Sequence, residues 1–101
     1  MFVADLHNDV LQRSIIGEDI SKLTTNGHSD LIRLIDSCID LEVFIIWITN
    51  NNLNGDAFNR ANQLIDKLEQ LEKNNPSIKI VKNINEILSA KKNNILSTPF
   101  A

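Results

Sequence analysis

The chain has 101 residues, 43% of them hydrophobic and 23% charged, with a formal net charge of -3 and a pI near 5.2. That is the composition of one folded domain, or part of one, and not of a disordered tail. The acidic balance and the absence of any basic run beyond Lys91-Lys92 argue against nucleic acid as a partner.

Phe2 to Leu6 is short and apolar, which predicts a first β-strand. His7, Asn8 and Asp9 follow directly. Asp9 to Ile16 suits a short helix that ends near Gly17. Glu18 to Gly27 is polar, with Thr24-Thr25-Asn26-Gly27 as its strongest turn signal. Ser29 is a candidate N-cap for a helix to Ser37, because Leu31, Ile32, Leu34, Ile35 and Cys38 recur at helical spacing.

Leu41 to Thr49 (LEVFIIWIT) is the clearest strand. From Val43 it does not alternate, as expected of a parallel strand covered on both faces. Asn50 to Gly55 reads as a loop. Asp56 to Lys73 is the most regular helix: Ala57, Phe58, Ala61, Leu64, Ile65, Leu68 and Leu71 form one apolar stripe. Asp56 in its first turn and Lys73 in its last suit the helix dipole, and Asn74-Asn75-Pro76 stops it. Ile78 to Val81 is a further short strand. Asn83 to Lys91 is a second amphipathic helix, with Asn83 as cap, Glu86 reaching back, and Ile84, Ile87 and Leu88 facing inward. After an Asn93-Asn94 turn, Ile95-Leu96 opens a last apolar run. Strands alternating with helices define the fold class as α/β with a parallel sheet.

Two segments bound the compartment. The longest apolar run, Val43 to Ile48, is far short of the roughly 20 residues of a membrane helix. The start MFVADLHND lacks a basic region ahead of an apolar one, so the cytoplasm is the default. Cys38 is the single cysteine, so no internal disulfide forms. It is expected to be a small buried apolar side chain, since Asp36 and Asp40 beside it disfavour a thiolate.

The chemistry-bearing feature is His7-Asn8-Asp9. Side chains two apart on a strand point to one side, so His7 and Asp9 can converge with Asn8 turned away. An imidazole nitrogen and a carboxylate oxygen are both good zinc donors. The plainer alternative is a partly buried His7 beside an Asp9 that caps the next helix. Asp5, on the same side as His7, would either orient a ligand or touch metal itself. His28 is expected to serve local loop packing, and Trp47 to pack in the core, with a substrate-pocket wall as the lesser alternative. Arg13 and Arg33 have the chemistry to clamp a carboxylate, although surface ion pairs are the plainer reading.

DLHNDVLQR (5–13), HSDLIRLIDSCIDLEVFIIWI (28–48) and AFNRANQLIDKL (57–68), in that order, resemble the membrane (renal) dipeptidase family. The resemblance runs from residue 3 to about residue 92. It implies the opening portion of a (β/α)8 barrel, with residues 1–101 as one N-terminal piece of a single barrel domain. It further implies a two-zinc metallopeptidase that hydrolyses dipeptides, with His7 and Asp9 as ligands to one zinc. The family's metal-bridging glutamate would be expected just beyond Ile95-Leu96, where this chain reads STPFA. The remaining histidine ligands are absent too, so the chain alone is expected to be inactive. A complete barrel of this class takes about 250 residues. The contrasting expectation is a small non-catalytic module derived from the same fold. Such a module would cover its sheet most simply by forming a homo-oligomer.

Overall fold

A computed structural model describes residues 1–48 and 57–100. Its elements in chain order are β1 (Ala4–Asn8), α1 (Leu11–Ile15), α2 (Leu31–Asp36), β2 (Leu41–Phe44), α3 (Ala57–Asn74), β3 (Ile78–Ile80), α4 (Ile84–Lys92) and β4 (Leu96–Thr98). The four strands form one parallel sheet in the order β1-β2-β4-β3. Parallel neighbours need crossover connections, and the helical segments between the strands supply them. β3 lies outside β4, so the segment holding α3 carries the chain one strand position too far and α4 brings it back.

The core forms where the helices pack on each other and on the sheet. α3 places Leu64, Leu68 and Leu71 four and three residues apart on one face, and all three are buried. They join Val10, Leu11, Ile20, Leu31, Leu34, Phe44, Ile78 and Leu96 in one cluster. α1 packs on α3, α3 on β3, and α4 on β4. The chain reverses after α1 through Gly17 at φ +94°, a conformation glycine adopts without steric cost.

The amino ends of the strands are joined by Asp40, just before β2. Its Oδ2 accepts the Val3 N–H at 2.8 Å and its Oδ1 accepts the Lys91 ammonium at 2.8 Å. Its carbonyl accepts both the N–H and the hydroxyl of Ser97 on β4. The Lys91 hydrogen bond and the Val3 N–H hold the Asp40 carboxyl below its usual range. One residue, through its carboxylate and its carbonyl, thus ties β1, β2 and the α4–β4 unit together at the end of the sheet away from His7.

Several expectations are corrected. Asp30, not Ser29, caps α2: its carboxylate accepts the Arg33 N–H at 2.9 Å. β2 stops at Phe44, and Ile45–Ile48 continue without strand pairing, although the Ile45 N–H still reaches the Asn8 carbonyl. Cys38 is exposed, because α2 ends at Asp36 and the turn sets Cys38 at φ +59°, off the helix face. Trp47 is also exposed, lying past the end of β2. Phe58 sits in the first turn of α3, ahead of the part that meets the core, and is exposed.

Ile84 and Leu88 face solvent, and α4 fully buries only Ala90. The Asn83 cap is present, accepting the Glu86 N–H at 2.9 Å. Glu86 reaches back one residue further than a capping box requires, to the Lys82 N–H. The expectations for Thr49, the Asn50–Gly55 loop and Asp56 lie outside the described residues.

Candidate metal centre

β1 runs to Asn8, two residues beyond the expected end, so His7 lies in the strand and Asp9 immediately after it. The pairing of β1 with β2 is regular at Ala4–Leu41 and Asp5–Glu42. It shifts before Asn8–Phe44. A shift of this kind bends a strand and re-aims its side chains, and it is common beside functional sites. Simple alternation therefore does not hold through His7.

The two candidate ligands do converge. His7 Nε2 lies 3.0 Å from Asp9 Oδ2. Their side chains are 68% and 53% exposed, so the pair is open to an incoming ion. Asp5 Oδ1 accepts the His7 backbone N–H at 3.1 Å, which places Asp5 as a support for His7. Asn8 is not idle. Its Oδ1 accepts the Val10 N–H and its Nδ2 donates to Ser29 Oγ, each at 2.9 Å. His28, Ser29 and Arg33 line the same shallow cleft as His7 and Asp9.

Neither arginine is free to act as a substrate clamp. Arg13 makes a two-pronged pair with Glu18, through Nε at 2.6 Å and through Nη2. That hydrogen bonding raises the Arg13 pKa and lowers that of Glu18. Arg33 donates to the carbonyls of Gly27 and Thr24 at 3.2 and 3.0 Å and pairs with Asp30. Both arginines make ion pairs, as the plainer expectation had it, but these are partly buried and not surface pairs.

Glu42 was not singled out by the sequence. It lies on β2 opposite Asp5, is fully buried, and neither of its carboxylate oxygens has a hydrogen-bond donor among the described residues. Burial pushes its pKa up to about 7, with the nearby Asn8 amide opposing the shift and the Asp5 charge adding to it. The signal in the sequence was a lone acid in an otherwise apolar strand, LEVF.

A nitrogen–oxygen donor pair fits zinc in kind. It is two donors of the usual four, and among the described residues no group of three histidine, cysteine or acidic side chains is placed to hold a metal ion. The residues present thus suit half of a site. Among the described residues no helix is long and apolar enough to cross a membrane.

A parallel α/β sheet with such a pair at the carboxyl end of its first strand has the layout of a barrel hydrolase, where chemistry sits at that end of the strands. Residues 1–100 match the membrane dipeptidase family, peptidase family M19. The chain belongs to that family. The crystal structure of dipeptidase AC, a metallopeptidase of family M19, superposes with a TM-score of 0.82 at 21% identity, over 97% of this chain and 33% of that one. The chain spans about a third of that relative's length, so its fold is a portion of the barrel. No curated protein sequence matches.

Proposed function

We propose that this chain carries the first-strand zinc ligands of a dipeptide-hydrolysing metallopeptidase, and that it is inactive by itself. The observation that supports this most is the approach of His7 Nε2 to Asp9 Oδ2 at the end of β1. Zinc held there supplies Lewis acidity to polarise a scissile carbonyl. His7 offers the imidazole nitrogen and Asp9 the carboxylate, while Asp5 fixes the backbone of His7. On this reading the other donors, the second zinc and the groups that hold the dipeptide would come from barrel elements outside this chain, which spans a third of dipeptidase AC. A lone cysteine suits the cytoplasm, the compartment we assign.

The test is a graft of residues 1–100 in place of the matching third of dipeptidase AC. Zinc-dependent dipeptide hydrolysis that His7→Ala abolishes is the expected result. A graft that folds, binds zinc and hydrolyses equally well with His7→Ala refutes the assignment. The isolated chain should hydrolyse nothing, and turnover sensitive to His7→Ala would refute its inactivity.

A second reading, a non-catalytic module that self-associates, is favoured by one observation. Leu6, Trp47, Phe58 and Leu88 are all more than half exposed. It predicts a stable oligomer in sedimentation velocity and zinc binding indifferent to His7. A monomer whose zinc binding depends on His7 refutes it.

A further inference from the structure

The His7–Asp9 approach needs a cause outside the pair. Both side chains are exposed, and an exposed polar contact of this kind contributes at most about 1 kcal/mol, against the entropy of fixing both side chains. Asn8, between them, supplies the constraint. Its Oδ1 accepts the Val10 N–H, which closes a turn over Asp9. Its carbonyl accepts the Ile45 N–H at 2.8 Å. Its Nδ2 donates to Ser29 Oγ. With Nδ2 held, the amide cannot rotate away from Val10, and the turn that swings Asp9 toward His7 stays closed.

Ser29 is itself held. Its carbonyl accepts from Arg13 Nη1 at 3.4 Å, and Arg13 is fixed by Glu18. Gly27 has φ +97°, which favours glycine, and a Cβ there would lie 2.3 Å from Arg13 Nη1, so a larger residue would push the guanidinium out of its place under the loop.

We propose that the Asn8–Ser29 hydrogen bond is a latch that presets the His7–Asp9 pair for metal, with Asn8 and Ser29 as positioning residues anchored through the Arg13–Gly27 contact. The proposal rests on the zinc reading above for its purpose, but not for its geometry.

The test compares wild type, Ser29→Ala, Ser29→Thr and His7→Ala as full chains, with circular dichroism and melting to confirm folding. Zinc affinity is read by competition with a chromophoric chelator. The state of the neutral His7 ring is read without metal from long-range proton–nitrogen NMR, where the Asp9 contact favours the Nε2–H form. Ser29→Ala should fold, bind zinc about tenfold more weakly and lose the Nε2–H preference. Ser29→Thr, which keeps the hydroxyl, should restore both. Where His7→Ala weakens zinc binding, zinc affinity unchanged by Ser29→Ala overturns the latch. Zinc binding unaffected by His7→Ala would refute the metal reading alone. The metal-free spectrum then decides the latch: a His7 ring unaltered by Ser29→Ala overturns it, and an altered one upholds it.

Discussion

Asp30 and Glu42 are both fully buried carboxylates, and they have opposite fates. Asp30 accepts from the Thr24 N–H, the Thr24 hydroxyl and the Arg33 N–H, and pairs with the Arg33 guanidinium. Burial alone would raise its pKa, but those donors and the Arg33 charge outweigh burial and lower it. Glu42 has the burial but, among the described residues, no donor bonded to its carboxylate oxygens, and the nearby Asn8 amide does not offset the burial, so its pKa rises. Burial sets the cost of a charge, and the partners decide whether the chain keeps it. Asp30 closes the loop before α2 with groups from that same stretch. Glu42, on β2, has no such provision among the described residues.

The largest effect should come from Asp30→Ala. It removes the α2 cap and strips the buried Thr24 N–H and hydroxyl of their acceptor, a loss of about 4 kcal/mol. Chemical denaturation at neutral pH measures it. A loss no larger than a surface substitution's would mean the loop is held by other contacts.

Glu42 should impose the next largest effect, through pH. Its proton is bound more tightly in the folded chain, about 7 against 4.5. The stability this contributes is full below pH 4.5 and is lost as pH rises through 7, up to about 3 kcal/mol. Asp30, with its pKa lowered, has the opposite sign: its contribution is full above its ordinary value of 3.8 and is lost as pH falls below it. Denaturation at intervals from pH 4.5 to 8 should show stability falling in wild type and a flatter profile in Glu42→Gln. Identical profiles would mean that a donor satisfies Glu42.

Smaller effects sharpen the contrast between provided and unprovided polar groups. Asn83→Ala removes the cap that holds the Glu86 N–H and should cost about 1 kcal/mol. Lys91→Ala removes the partner of Asp40. Because Lys91 is 41% exposed, solvent screens much of that pair, and the cost should stay below about 1 kcal/mol. The bonds that Asp40 accepts from the Val3 N–H and from the Ser97 N–H and hydroxyl survive the substitution.

The elements legible in the sequence are those whose pattern and partners are local. The 18-residue α3 shows its stripe in Leu64, Leu68 and Leu71, and the α4 cap is spelled out by Asn83 and Glu86. The parallel sheet was readable from alternating strands and helices, and the family from three segments in order. What failed depended on tertiary context. The exposure of Ile84 and Leu88 follows from how little of α4 the sheet covers. The exposure of Cys38 follows from a left-handed turn. Periodicity places a residue on a helix face but does not say whether anything packs there.

The site divides in the same way. His7 and Asp9 were legible as donors at a recognisable spacing. Asn8 was not, because its role depends on Ser29, 21 residues away, and on a shifted strand register. Glu42 was missed because its place opposite Asp5 arises only when β1 and β2 pair.

The most direct test of the central claim is zinc titration calorimetry on the full chain at neutral pH, comparing wild type with His7→Ala and Asp9→Ala. Two exposed donors should give one weak, saturable site that either substitution removes. Equal zinc binding in all three proteins would contradict the claim that this pair is the metal-holding part of a dipeptidase barrel.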